Sequence, residues 1–200
     1  MKIEGVILAA GLSSRMGSNK LLLNVLEMPM IERVILNMLP FCERLIVVLG
    51  HDGHKLEPLL KKYDTVKLVY NSGYQSGMFS SVKVGCEHLK GDRFFLTPAD
   101  MPLISTDTYK SLLEVEDSVV IPSYQGKAGH PILLNIEVAE GLRTRDRQSS
   151  AESRPITEAQ NLREYLKGFH KTYVSVPDEG ILMDIDTRTV YDNLKEGGLI

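Results

Sequence analysis

After its first apolar run the chain reads Leu8-Ala9-Ala10-Gly11-Leu12-Ser13-Ser14-Arg15-Met16-Gly17-Ser18-Asn19-Lys20, with two glycines, three serines, one arginine and one lysine. Small residues let the backbone come close to a ligand, and exposed N–H groups in such a loop form a concavity that binds anions. Arg15 can grip phosphate oxygens in a fork while Lys20 adds a point charge, a donor set of triphosphate size. The loop is not a Walker A motif, because five residues rather than four separate Gly11 from Gly17 and Leu21 follows Lys20. Nor is it a dinucleotide fingerprint, since Leu12 and Ser13 stand where a second glycine is required. The plainer alternative, a Gly/Ser-rich strand-to-helix loop carrying two solvated bases, accounts less well for so dense a pattern.

Two acidic positions could complete such a site. Asp100 follows the apolar run Arg93 to Thr97 and precedes Pro102, which places it at the same sheet edge as the phosphate loop. A divalent ion that bridges phosphate oxygens, Mg²⁺ above all, takes one or two carboxylates beside waters and phosphates. Asp184 and Asp186 alternate around Ile185, so in an extended segment both point one way while Ile185 points to the core. The competing reading makes Asp100 or Asp186 a helix cap, although Ser105 and Thr106 are better placed than Asp100 for that role. Gly73, Gly77, Met78, Ser80 and Ser81 precede or open a helix, where serines are caps more often than ligands. His130, between Gly129 and Pro131, either faces a second substrate or is a buried imidazole bonded to backbone.

These residues need a frame, and the sequence predicts one. Strands are expected at Gly5 to Ala9, Leu45 to Leu49, Val66 to Tyr70, Arg93 to Thr97, Val119 to Pro122, His130 to Leu134 and Tyr173 to Val176. They alternate with segments of helical period, which is the pattern of an α/β protein: a three-layer αβα architecture around a mostly parallel, mixed sheet in which the His130 strand can run antiparallel. The helix after Pro29 is the clearest, with Ile31, Val34, Ile35, Met38 and Leu39 on one face. Further helices are expected at Gly53 to Lys62, Ser80 to Leu89, Thr106 to Val115, Ile156 to Leu166 (with Glu158 near its positive end) and Thr187 to Lys195. The polar stretch from Arg143 to Pro155 reads as a surface loop. By length, residues 1–200 are expected to form a single domain.

At 200 residues and 43% apolar composition the chain can bury a core. A net charge of −3 gives no bulk attraction for nucleic acid or an acidic membrane, so any anion site has to be local. Cys42 and Cys86 lack zinc-binding spacing, and no stretch of about 18 apolar residues occurs. These features predict a soluble cytoplasmic protein with neither a nucleic-acid nor a membrane partner.

The string LAAGLSSRMGSNKLL resembles the signature loop of the cytidylyltransferase-type nucleotidyltransferases, and within them the molybdenum cofactor cytidylyltransferase group, whose fold is that of the nucleotide-diphospho-sugar transferases. Asn71 to Gly85, Asp100-Met101-Pro102-Leu103, Gly129-His130-Pro131 and Asp184-Ile185-Asp186-Thr187 agree with it in the same order. The resemblance implies an Mg²⁺-dependent enzyme (or one using Mn²⁺) that transfers a nucleoside monophosphate from CTP to a phosphate-bearing acceptor, molybdopterin, and releases pyrophosphate. It places Leu8, Ala9, Ala10, Gly11, Ser13, Arg15, Lys20, Gly77 and Ser81 around the nucleotide, with Arg15, Lys20 and Asp100 catalytic. It selects Asp186 over Asp184 as the second metal ligand beside Asp100, and it turns His130 toward the second substrate. A molybdenum hydroxylase is the partner it suggests.

Two departures bear on the acceptor. The group's Gly-Asp-x-Gly-Ala-Arg string is replaced by Arg143-Thr144-Arg145-Asp146-Arg147, and its Thr-Pro-Glu-Asp-Tyr tail by Thr187-Arg188-Thr189-Val190-Tyr191. A phosphosugar or phosphocholine acceptor, or GTP as donor, therefore stays as an alternative. A protein that binds nucleotide or cofactor without turnover, serving hydroxylase maturation, is the alternative of another class. Pyrophosphate release separates the two.

Overall fold

A computed structural model of the chain describes residues 1–11, 19–143 and 160–200. The chain opens with β1 (Ile3–Ala9), and after a 3-10 turn at Lys20–Leu22 a short hairpin, β2 (Asn24–Val25) and β3 (Met28–Pro29), leads into α1 (Met30–Met38). Then come β4 (Arg44–Leu49), α2 (Glu57–Leu60), β5 (Val66–Tyr70), α3 (Met78–Glu87), β6 (Arg93–Pro98) and α4 (Thr106–Leu113). The later half contributes β7 (Val119–Tyr124), β8 (Lys127–Ala128), β9 (Ile132–Asn135), α5 (Ile136–Arg143), α6 (Leu162–Tyr165), β10 (Lys171–Ser175) and α7 (Arg188–Glu196).

The main sheet has the order β10-β7-β9-β6-β1-β4-β5, with β8 paired to β7. Its β1, β4, β5 and β6 run parallel, as do β7 and β10, while β9 runs antiparallel to both β6 and β7. The mostly parallel, mixed sheet predicted from the alternation is thus observed, including the antiparallel strand that follows His130. After β5 the chain returns to the far side of β1, so β1 is flanked by β4 and β6. A reversal of this kind leaves a crevice at the carboxyl ends of the strands, where open α/β sheets bind ligands.

Strand alternation sorts the core into two layers. Ile7 and Ala9 face one side with Ile31, Val34, Ile35 and Met38 of α1, Tyr109 and Leu112 of α4, and Tyr191 and Leu194 of α7. Val6, Leu8 and Ala10 face the other with Val82 and Cys86 of α3, Val138, Ala139 and Leu142 of α5, and Tyr165 of α6. Gly85 lets α3 lie tightly on the sheet, since a Cβ there would come within 2.5 Å of Val6 Cγ1.

The structure corrects several expectations. The helix expected at Gly53 to Lys62 is a 3-10 turn (Gly53–Lys55) followed by the single-turn α2 (Glu57–Leu60), because Pro58 has no N–H to give and its ring would press on the carbonyl four residues back. Arg143 is the last residue of α5, and its guanidinium donates to Cys86 O at 2.7 Å and Leu89 O at 2.5 Å, tying α5 to α3. Residues 144–155 of the expected loop lie outside the described residues, as do Glu158 and the start of the helix expected at Ile156. The described part of that helix is α6 and a 3-10 turn at Leu166–Gly168. Among the described residues both cysteines are free, and no helix is long and apolar enough to cross a membrane.

Candidate active site

The crevice at the carboxyl ends of β1 and β6 holds a cavity of about 350 Å³. Leu8, Ala9, Ala10 and Gly11 reach it from β1, Lys20 and Leu21 from the turn that follows, and Pro98, Ala99 and Asp100 from β6. Its opposite wall is Tyr74, Gln75, Gly77, Met78 and Ser81, from the approach to α3 and its first turns. Asp186 comes from the segment before α7 and completes the lining.

Local structure explains each placement. The Ala99 N–H donates to Leu8 O at 3.0 Å, which extends the β1–β6 pairing to the edge where Asp100 projects. Ser105 caps α4 by accepting from the Asp107 N–H, and Thr187 caps α7 by accepting from the Val190 N–H. Neither Asp100 nor Asp186 is therefore used as a helix cap. Ile185 is fully buried, and its N–H donates to Asp100 O at 2.9 Å, so the main chain that carries Asp186 is fastened beside Asp100. Asp184, on the neighbouring turn of chain, is exposed and does not line the cavity. Gly77 takes φ +96° and ψ 171°, a conformation open in practice to glycine alone, and this bends the chain into α3.

Lys20 joins the two carboxylates. Its Nζ donates to Asp100 Oδ2 at 2.7 Å and to Asp186 Oδ1 at 2.5 Å. Lys20 and Asp100 are well covered, with side chains 13% and 19% exposed, whereas Asp186 is 45% exposed at the rim. Burial alone would push the Lys20 ammonium toward neutrality, but the two carboxylates outweigh it and hold the group charged above its ordinary pKa. Burial also raises the Asp100 carboxyl, with Asp186 adding to the rise, against the pull of Lys20. Two carboxylates facing one ammonium leave the cluster one positive charge short. Asp100 Oδ1 is buried with no hydrogen-bond partner among the described residues. An unsatisfied buried carboxylate oxygen beside a second carboxylate fits a hard divalent cation that completes its shell with water and phosphate.

Of the residues singled out in the sequence, Leu8, Ala9, Ala10, Gly11, Lys20, Gly77, Ser81, Asp100 and Asp186 meet in this one cavity. Ser13 and Arg15 lie outside the described residues. Within the cavity lining the Lys20 ammonium rests on the acidic pair. His130 does not line the cavity: its N–H donates to Ile181 O at 3.0 Å, and Nδ1 lies 3.3 Å from Leu96 O. Burial depresses its pKa, with the Leu96 carbonyl and Asp100 acting the other way, which favours a neutral ring that donates from Nδ1. Tyr74 and Gln75 join the lining with no signal in the sequence beyond their place between Asn71 and Gly77.

A layered α/β fold with paired carboxylates and a small-residue strand end converging at the sheet crevice defines a protein of the nucleotidyltransferase class. Residues 5–164 match the MobA-like NTP transferase domain, and the chain belongs to that family. It is 31% identical, over 97% of its length and 96% of the relative's, to the molybdenum cofactor cytidylyltransferase of Escherichia coli K12. It is also 31% identical to a probable molybdenum cofactor guanylyltransferase of Carboxydothermus hydrogenoformans, over 60% of this chain and 59% of that one. Among solved structures, a nucleotidyl transferase from Methanothermobacter superposes with a TM-score of 0.77 at 23% identity, covering 99% of this chain and 98% of that one. The 4-diphosphocytidyl-2C-methyl-D-erythritol synthase of Anaerococcus prevotii gives 0.75 at 12% identity, covering 100% and 99%, so the fold persists where little sequence does.

Proposed function

We propose that the cavity binds CTP and that the protein transfers its cytidylyl group to the phosphate of molybdopterin, releasing pyrophosphate. The observation that carries this reading is the convergence of Asp100, Asp186 and Lys20 beside the small-residue end of β1. The likeness to the Escherichia coli cytidylyltransferase over nearly the whole chain supports the choice of nucleotide and acceptor.

In the reaction an oxygen of the acceptor phosphate attacks the α-phosphorus of CTP, and the bond from that phosphorus to the bridging oxygen breaks, so the electron pair leaves with pyrophosphate. The acceptor is its own nucleophile, and the protein has to align the two phosphates and offset charge. Asp100 and Asp186 would hold Mg²⁺ or Mn²⁺, which when bound supplies positive charge to the phosphate oxygens. Lys20, with Arg15 and Ser13 of the loop, faces the triphosphate. Leu8, Ala9, Ala10 and Gly11 let the nucleotide lie close against the strand end. Gly77 and Ser81 meet the base, and His130, held on the Leu96 carbonyl outside the cavity lining, serves the acceptor side. The product would serve maturation of a molybdenum hydroxylase.

The guanylyltransferase relatives make GTP the competing donor. Pyrophosphate release is measured with molybdopterin and Mg²⁺ for CTP, GTP, ATP and UTP in parallel. Release with CTP well above the rest is the expected result. Preference for GTP would reassign the base, and binding of nucleotide without release would make the protein a carrier.

A further inference from the structure

We infer that Asn71 is a positioning residue that sets the hydrogen-bond polarity of the base pocket, by making Ser81 a donor toward the cavity. The inference rests on the cavity being the nucleotide site. Asn71 directly follows β5, is 4% exposed, and is pinned to the sheet by its N–H, which donates to Leu49 O at 2.8 Å. Its side-chain Oδ1 accepts from the Gly73 N–H at 2.9 Å. That bond fixes which way the amide points, because the reverse orientation would set an NH₂ against an N–H. Nδ2 then has two hydrogens, and two hydroxyls receive them: Ser80 Oγ at 2.8 Å and Ser81 Oγ at 2.9 Å.

The two serines differ in what remains. Ser80 sends its own proton to Gly77 O at 2.7 Å, with Gly73 O at 3.2 Å as the alternative acceptor. Ser81 is 3% exposed, lines the cavity, and among the described residues has no acceptor for its proton. A hydroxyl whose lone pair is already engaged by an amide N–H, and whose proton is unspent beside a cavity, meets its ligand as a donor. The pocket therefore selects a base edge that offers an acceptor there. Cytosine presents adjacent acceptors, O2 and N3. The corresponding edge of guanine carries two donors, N1–H and N2–H, which a Ser81 donor opposes.

The Asn71→Asp replacement keeps the shape and the bond from the Gly73 N–H but reverses the rest, since a carboxylate must accept from both hydroxyls and draws the Ser81 proton out of the cavity. The expected result is a rise of about tenfold or more in KM for CTP with kcat changed less than about threefold, and a change below about twofold when the same replacement is made in Ser81→Ala protein. Equal effects in both backgrounds would overturn the inference, because a distorted helix start or a repelled triphosphate acts without Ser81. So would an Asn71→Asp protein that handles CTP normally. If that variant does not fold by circular dichroism, 2-thio-CTP and 3-deaza-CTP, each weak in one acceptor, decide the matter on wild type and Ser81→Ala. One of them should lose about tenfold on wild type and nothing on the variant, and equal use of both analogues with CTP overturns the idea. Wild-type protein that neither binds nor uses CTP removes the functional reading and this inference together, whereas CTP turnover with additive variants removes this inference alone.

Discussion

Lys20 Nζ lies 2.7 Å from Asp100 Oδ2, an ion pair between the turn after β1 and the end of β6, and the same ammonium reaches Asp186. The pair brings together two loops that only the fold makes neighbours. Lys20→Met would leave two carboxylates facing each other with no cation. Both partners are partly covered rather than sealed, so the expected loss is on the order of 2 kcal/mol, short of the ~3–5 for a fully buried pair. Urea unfolding with and without Mn²⁺ measures it, and the metal should recover most of the loss. A variant as stable as wild type would show that the pair does not hold these loops.

Asp100→Asn tests the chemistry separately from the fold. The amide keeps the volume and can still accept from Lys20, but it is a poor ligand for a hard cation. Turnover should fall by about three orders of magnitude, the scale of losing an electrostatic group at a reacting centre, with the melting temperature shifted by only a few degrees. Pyrophosphate release at saturating Mg²⁺ reads the first, and circular dichroism melts read the second. Retained turnover would remove Asp100 from the site.

At Gly77 the backbone, and not the space around it, forbids a side chain: a Cβ would meet nothing within 4 Å, yet φ is +96°. Gly77→Ala should cost roughly 1–3 kcal/mol, or shift the start of α3 to escape that cost. Since Ser81 rides on that first stretch of helix, KM for the nucleotide should rise more than kcat falls. An alanine protein with unchanged KM and melting temperature would mean that the turn relaxes freely.

Much of this frame is legible in the sequence, for reasons that can be stated residue by residue. The strands β1, β4 and β5 are built on Val, Ile and Leu and β6 on Phe94-Phe95-Leu96, each run ending near turn residues, and α1 shows its core face outright. The helix α5 escapes such reading because Ile136 follows Asn135 of β9 directly, with no loop between to punctuate the change of period. The β2–β3 hairpin escapes it because Leu26 and Glu27 take φ +49° and +68° at a turn where Asn and Gly are the usual signals. At the site, Asp100 and Lys20 stand out by type and place, whereas Ser81, at a helix start where a cap is the commoner role, is singled out by the family resemblance alone. Their convergence depends on the sheet order, and the direction of each hydrogen bond around Asn71 depends on the Gly73 N–H. Neither is written in residue spacing.

Burial depresses the pKa of His130, so the folded chain resists protonating it. The unfolded chain takes up the proton first as pH falls, near the ordinary His value of about 6.5, and stability drops from there until the folded protein is protonated as well. Above that range the group contributes no pH dependence. Unfolding free energies at several pH values between 5 and 8 should therefore fall more steeply toward acid for wild type than for His130→Gln. Parallel curves would mean that His130 is already solvated in the folded state.

Asp178 fixes the approach to Asp186. Its Oδ1 accepts from the Gly180 N–H at 3.0 Å, and its Oδ2 accepts from the Ser105 N–H at 2.8 Å and the Thr108 hydroxyl at 2.6 Å. One carboxylate thus ties the start of α4 to the segment that runs on through Ile181 and Ile185 to Asp186. Gly180 packs so closely on Leu103 O that a Cβ could not be accommodated, which leaves this segment a single seat. Asp178→Ala strands two backbone N–H groups and should cost about 1–3 kcal/mol. It should also weaken Mn²⁺ binding several-fold while leaving the cavity residues intact, because Asp186 is no longer held beside Asp100. Titration calorimetry with Mn²⁺ checks this, and Thr108→Val, which removes one of the three bonds, should give a smaller effect in the same direction. Unchanged Mn²⁺ affinity in the destabilised Asp178 variant would show that the Ile185 N–H to Asp100 O bond suffices to place Asp186 by itself.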